Sequence, residues 1–151
     1  MINIIYSKNE DWNTFIKEKQ DKILSLKIPV GVDTALSKNL ISQLDNEYSI
    51  LKIYYNNLQS KVNEIDKMIY VIEHKNRVGR NECDRKTNGI IKAETYTIIE
   101  NNVERKINLY KEQILFYSRL KDIESLIDII NKKISNIITI SGLLKIEASL
   151  G

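Results

Sequence analysis

Histidine, cysteine, proline and glycine are all scarce in this sequence. Its 151 residues include 1 His and 1 Cys, so no disulfide can form within the chain and a cluster of His and Cys metal ligands is excluded. Only 5 Gly and 1 Pro are present, which disfavours a turn-rich all-β fold and glycine loops that cradle phosphate. No P-loop motif occurs. These absences argue against most enzyme classes, and we expect a non-enzymatic protein with no cofactor and no metal.

The sequence also lacks a long hydrophobic run and a secretory signal. The longest apolar stretch near the end, residues 137–144, is interrupted by Thr139, Ser141 and Gly142. It is far shorter than the roughly 20 residues that cross a bilayer. The first residues are apolar but lead directly into Lys8 and the acidic residues that follow it. We therefore expect a cytoplasmic protein without a membrane partner, folded as one helical domain over residues 1–151.

What the first half of the chain does contain is apolar side chains at helical spacing. A short helix is predicted over residues 9–26, with Trp12, Phe15 and Ile23 along one side. A longer helix is predicted over residues 38–77, a range without Gly or Pro. Its apolar residues alternate in steps of four and three, which makes a heptad seam of Leu44, Tyr48, Leu51, Tyr55, Leu58, Val62, Ile65, Ile69 and Ile72. Such a seam must pack against another long helix.

A third helix is predicted over residues 101–141, ending near Gly142. Its apolar spacing runs from Val103 through Ile114 to Tyr117 and resumes at Leu120 after a three-residue phase change, a stammer in a coiled coil. The apolar residues beyond Leu126 cover an arc too wide for one partner, which favours assembly with further copies of the chain. The predicted oligomer interface is Ile127, Ile130, Ile134, Ile137 and Ile138. A central core helix in a monomer is the alternative.

The positive charge of the chain is concentrated between its two long predicted helices. Residues 78–100 are predicted as a basic loop and an extended link, in which the residues after Gly89 form a short strand or an extended arm. Residues 74–92 hold six basic and two acidic side chains, whereas the rest of the chain holds 17 basic and 18 acidic ones. Tyr70 and Tyr96 flank this stretch and could stack on bases. The candidate nucleic-acid-binding residues are Lys75, Arg77, Arg80, Arg85, Lys86 and Lys92. The alternative is a basic loop that is simply solvated.

These patterns together predict an all-α fold. Its main feature is a long antiparallel helical hairpin, preceded by the short N-terminal helix. A basic loop or a short extended arm connects the two long helices.

The order of these features and several local motifs resemble one protein family over roughly residues 35–151. The stretch Leu-Asp-Asn-Glu-Tyr-Ser-Ile-Leu-Lys at residues 44–52, the Val-Gly-Arg at 78–80 and the Lys-Ala-Glu at 92–94, with Thr97 and Lys106, carry the likeness. The apolar stretch 134–140 and the ending Glu-Ala-Ser-Leu-Gly also match its pattern. The chain resembles the UvsY recombination mediators of myovirus-type phages. It departs from them at Val71, Ile72 and Glu73, where the family carries basic residues.

The resemblance implies a specific activity. Such mediators are not enzymes; they form ring-like homo-oligomers that bind single-stranded DNA. They help a RecA-type recombinase replace the single-strand-binding protein, so both proteins become expected partners, and the compartment becomes the host cytoplasm for a phage-encoded chain. The alternative function is a structural coiled-coil adaptor or assembly chaperone that binds no nucleic acid.

Overall fold

The computed structural model describes residues 3–27 and 34–150 and is mostly α-helical, as predicted. Its elements are a 3₁₀ turn (Ile4–Tyr6), α1 (Asn9–Ser25), α2 (Thr34–Lys75), α3 (Glu82–Glu94), β1 (Tyr96–Glu100), β2 (Val103–Ile107) and α4 (Leu109–Leu150). In these two ranges, no helix is both long enough and apolar enough to cross a membrane.

The chain divides into two compact units, and both long helices contribute to each. The first unit comprises Met1–Asn56 and Lys121–Gly151, and the second comprises Asn57–Leu120. The first unit combines two segments that are distant in sequence, whereas the second is one continuous stretch of chain. The single domain over residues 1–151 stays a prediction.

In the first unit, α1 packs against the first part of α2 and the last part of α4. The ring of Phe15 lies 5.2 Å from that of Tyr54, and Glu47 forms ion pairs further along α1, so α1 and α2 run antiparallel. The indole Nε1 of Trp12 donates to Asp122 at 2.8 Å, and Lys133 donates to the carbonyl oxygen of Leu26 at 3.1 Å. These two contacts show that α1 and α4 run parallel, so α2 and α4 are antiparallel here.

In the second unit, α2 and α4 are again antiparallel. Gln113 donates to Asp66 at 2.6 Å, while Tyr110, which precedes it in α4, donates to Glu73, which follows Asp66 in α2. The unit also contains α3 and the hairpin of β1 and β2. The predicted antiparallel pairing of the long helices is therefore confirmed within each unit.

The heptad seam predicted for α2 is confirmed as its buried face. Leu44, Leu51, Leu58, Val62, Ile65 and Ile69 are all buried. Tyr48, Tyr55 and Ile72 lie half-buried at the edges of the seam. A helix whose apolar residues recur every seven positions presents one continuous stripe, and the partner of that stripe is α4 of the same chain.

The apolar register predicted for the first part of α4 is wrong. Ile114 is 69% exposed and Val103 lies in β2. Five buried residues of α4 recur every seven positions without a phase change: Leu109, Phe116, Ile123, Ile130 and Ile137. Residues 114–117 are four apolar side chains in a row, so two heptad registers fit the sequence equally well. Packing against α2 selects the register that includes Phe116, and no stammer is needed.

The predicted loop over residues 78–100 is wrong for its central part, which is α3. Asn81 caps this helix by accepting a hydrogen bond from the backbone N–H of Asp84 at 2.8 Å. Glu82 and Asp84 lie in the first turn, where acidic side chains complement the helix dipole. Asn81 followed by Glu82 and Asp84 is a helix-capping pattern that the sequence contains. The prediction gave more weight to Gly79 and Gly89, which are typical of a loop.

The predicted third helix begins later and ends later than expected. Residues 103–107 form β2, and a turn at Asn101 and Asn102, with φ of 51° and 63°, connects it to β1. Two consecutive positive φ values suit the tight turn of a two-residue hairpin. The side chain of Asn108 then accepts from the backbone N–H groups of Tyr110 and Lys111 and starts α4, which continues past Gly142 to Leu150.

Candidate nucleic-acid interface

The six predicted nucleic-acid-binding residues lie at the end of α2, in the following link and along α3, and we call this set the basic segment. Lys75 ends α2, Arg77 and Arg80 lie in the link, and Arg85, Lys86 and Lys92 belong to α3. All six side chains are exposed. The structure therefore presents these positive charges to solvent within the second unit.

The position of α3 depends on two small residues that face α2. Gly89 and Ala93, one helical turn apart, are both buried. A Cβ at Gly89 would lie only 2.8 Å from the carbonyl oxygen of Glu73, so the two backbones meet directly. The side-chain amide of Asn88 also donates to the carbonyl oxygen of Val78. This close approach brings Lys86 and Ile90 of α3 to the end of α2.

Two of the six basic residues already have partners. Arg77 Nη2 lies 2.8 Å from Glu82 Oε1, and Arg85 Nη1 lies 3.9 Å from Glu82 Oε2. Arg85 Nε also donates to the carbonyl oxygen of Gly79 at 3.3 Å. Exposed ion pairs of this kind are worth at most about 1 kcal/mol, so a phosphate can compete with Glu82 for either guanidinium.

The other four basic residues have no such restraint. In the described ranges, no carboxylate lies within ion-pair distance of Lys75, Arg80, Lys86 or Lys92. These side chains can neutralise phosphates without first breaking an ion pair.

A cavity of about 320 Å³ opens where α3 meets α2, and we call it the α2–α3 cavity. It is lined by Tyr70, Glu73, His74, Arg77, Lys86 and Ile90. The rings of Tyr70 and His74 are stacked, with centroids 5.5 Å apart and planes inclined by 13°. Tyr70 is 68% exposed. An aromatic stack beside two cations can hold a base and its phosphate together.

A second cavity, of about 410 Å³, lies beside another part of α2 and includes Tyr96 from β1. Its remaining lining consists of Lys67, Met68, Val71, Ile72, Lys75 and Asn76. Tyr96 is half-buried and pairs with Ile107 across the hairpin. The two tyrosines singled out from the sequence therefore line two different cavities of the same unit, each with lysine side chains.

Sequence reasoning missed the pair formed by Glu73 and Tyr110. The hydroxyl of Tyr110 donates to Oε1 of Glu73, and 37 residues separate them. Burial, this hydrogen bond and the negative charges of Glu73 and Glu94 raise the pKa of Tyr110 well above its ordinary value. The phenol therefore stays protonated and remains a donor, which leaves Glu73 as the acceptor. No local pattern marks this pair, because only the antiparallel packing of α2 and α4 brings it together.

The predicted oligomer interface requires correction at two positions. Ile130 and Ile137 are 0% and 2% exposed, so they form part of the core of the first unit and cannot meet a second chain without unfolding. Ile127 and Ile134 are half-buried, whereas Ile138 is exposed. Further apolar side chains that face solvent on α4 are Ile140, Leu143, Ile146 and Leu150. These outward residues are the ones available to a partner.

Within residues 3–27 and 34–150, no group of three or more His, Cys, Asp or Glu side chains could hold a metal ion. Cys83 is a free, exposed thiol in the first turn of α3. Comparison with protein-family models, with curated proteins and with solved structures finds no match to this chain.

Proposed function

We propose that this chain is a single-stranded DNA-binding recombination mediator that acts as a homo-oligomer in the cytoplasm. The observation that carries the proposal is the α2–α3 cavity, where the stacked rings of Tyr70 and His74 adjoin Arg77 and Lys86. Bases that are not paired expose their faces, so an aromatic platform beside cations favours single strands over duplex DNA.

The remaining basic residues supply further contacts for the phosphate backbone of a bound DNA strand. Lys75 lines the second cavity with Tyr96. Arg80 follows Lys75 in the sequence, Lys92 precedes Tyr96, and both side chains are exposed. Phosphate contacts release counterions, so each adds to affinity and to its dependence on salt. A strand held mainly through its phosphates keeps most of its bases available to a recombinase.

The mediator role itself comes from the resemblance to the UvsY family. In such a protein, assembly of several subunits would repeat the basic segment, and weak sites would combine through multivalency. The outward apolar residues Ile138, Leu143 and Ile146 on α4 supply a surface for this assembly, which we expect to be a ring. The expected partners are the recombinase and the single-strand-binding protein that it displaces.

A structural adaptor or assembly chaperone without nucleic-acid binding is the second candidate. The heptad packing of α2 against α4 and the exposed apolar residues of α4 favour it, because both serve a helical scaffold equally well. The two functions differ in what the basic segment does, so the test measures DNA binding directly.

The test is the binding of a fluorescent single-stranded oligonucleotide across a salt series. We expect log affinity to fall linearly with log salt, by about 0.7 per phosphate contacted. Replacing Lys75, Arg80 and Lys86 by Ala should flatten that slope. The matched control replaces the exposed first-unit lysines Lys17, Lys121 and Lys132 by Ala, which changes net charge equally and should leave the slope nearly unchanged.

Two outcomes would contradict the proposal. A wild-type chain that does not bind the oligonucleotide would favour the adaptor. A chain that binds single strands but does not accelerate recombinase assembly on strands coated with single-strand-binding protein would refute the mediator role alone.

A further inference from the structure

The α2–α3 cavity has the size and the walls of a site for a single base. Its volume of about 320 Å³ lies at the lower end of the range for small-molecule sites, roughly 300–1,000 Å³. The stacked rings of Tyr70 and His74 supply a flat aromatic surface, and Ile90 supplies an apolar one. A heterocyclic ring can be desolvated between such surfaces, whereas a phosphate cannot.

The polar groups of the cavity are of two opposite kinds. Arg77 and Lys86 are cationic donors and suit the phosphate attached to the base. Glu73 is the one carboxylate in the lining, and it accepts the hydrogen bond of Tyr110 at Oε1. In the described part of the chain, no hydrogen bond reaches Oε2 of Glu73, so this oxygen is available to a ligand.

A carboxylate that accepts a hydrogen bond at ring position 4 discriminates between pyrimidines. Cytosine carries an amino group at ring position 4, which donates to a carboxylate, whereas thymine and uracil carry a carbonyl oxygen there, which a carboxylate repels. The neighbouring Tyr110 hydroxyl holds Glu73 as an acceptor, because it donates to the same carboxyl group. The distinction therefore follows from hydrogen-bond chemistry and not from ring size.

We infer that the α2–α3 cavity is a base-reading pocket that prefers cytosine over thymine or uracil through the carboxylate of Glu73. This inference rests on the proposed single-strand binding and adds selectivity to it. The phosphate contacts of the basic segment bind a strand of any base sequence, and the pocket adds a preference for the base that enters it.

The experiment compares short oligonucleotides of about eight nucleotides, made only of cytosine, only of uracil, or only of cytosine dimethylated on its amino group. The dimethylated base keeps the ring but has lost both N–H donors. At neutral pH, we expect the wild-type chain to bind the cytosine strand about fivefold more tightly than either of the others. Because these strands are compared on the unchanged protein, the result does not depend on how a variant folds.

Single substitutions test whether the preference for the cytosine strand depends on Glu73. Glu73→Gln removes the charge and adds an N–H donor, so the preference for cytosine should disappear or reverse toward uracil. Glu104→Gln, an exposed carboxylate of β2, changes net charge equally and should strengthen binding of all strands while keeping the ratio.

The outcomes distinguish failure of the base-reading pocket from failure of the proposed function. Equal, salt-dependent binding of the three strands by the wild-type chain would reject the base-reading pocket and leave single-strand binding intact. A preference that survives Glu73→Gln would place the discrimination elsewhere and overturn the assignment. No binding of any strand would overturn both.

Discussion

A side chain of any size at Gly89 would meet the backbone of Glu73, because an added Cβ would lie 2.8 Å from its carbonyl oxygen. This pair of residues joins α3 to α2 backbone to backbone. It places Lys86 of α3 beside the aromatic residues at the end of α2, so the candidate site depends on a glycine that does not itself line the cavity.

Gly89→Ala should displace α3 from α2. Alanine is favoured over glycine inside a helix by up to about 1 kcal/mol, but here its methyl group must push backbone away. We expect faster hydrogen exchange at the amides of α3 and weaker binding of single-stranded DNA. Gly142→Ala is the matched control, since nothing lies within 4 Å of a Cβ there, and it should raise the melting temperature. A Gly89→Ala chain as stable as this control would show that the contact is easily relaxed.

The buried carboxylate of Glu47 should make the first unit sensitive to acid. Burial alone would raise the pKa of Glu47, but hydrogen bonds from Lys22 and Lys19 and their charges outweigh it and lower the pKa below 4.5. A lowered pKa in the folded state contributes stability that is present above the unfolded value and is lost as pH falls through the folded value. The free energy of unfolding should therefore decrease as pH falls below 4.5.

Glu47→Gln tests this dependence through urea unfolding. The variant should be less stable at neutral pH by about 1–3 kcal/mol, because two lysines lose their charged partner. It should also lose less stability between neutral pH and acid than the wild-type chain does. Glu18→Gln, an exposed carboxylate on α1, is the control and should leave the acid dependence unchanged. Parallel curves for Glu47→Gln and the wild-type chain would contradict the prediction.

Glu82 forms ion pairs with Arg77 and Arg85, and under the proposed function it would compete with phosphate for them, so Glu82→Gln should strengthen single-strand binding. Both arginines lose their ion-pair partner, and we expect about threefold higher affinity and a steeper salt dependence. Glu124→Gln, on an exposed part of α4, makes the same change in net charge and should have a smaller effect. If both variants gain equally, the arginines do not take part in binding.

Substitutions on opposite sides of α4 should separate folding from assembly. Ile130→Asp places a charge in the core of the first unit and should unfold it, as seen by loss of the cooperative thermal transition. Leu143→Asp with Ile146→Asp alters two exposed side chains and should leave helix content unchanged. If α4 mediates oligomer formation, the double variant should have a lower mass in light scattering. An unchanged mass would reject this surface as the interface.

Much of the fold can be predicted from the sequence because the apolar spacing that marks each helix is a local property. The heptad seam of α2 depends only on residue spacing, and any partner helix would bury Leu44, Leu51 and Leu58 together. The concentration of basic residues between the long helices is likewise a property of the sequence, and the structure leaves those side chains exposed.

Contacts between distant segments decided the rest. Two apolar registers were open to α4, and packing against α2 chose the one that includes Phe116. From the sequence alone, Gly89 indicates a loop. The structure shows that it lies inside a helix, where the close approach to the backbone of Glu73 leaves no room for a side chain. The hydrogen bond between Tyr110 and Glu73, which defines the acceptor in the α2–α3 cavity, exists because two antiparallel helices bring residues 37 positions apart into contact. Local spacing determines which segments are helical, but only tertiary packing determines which side chains share a cavity.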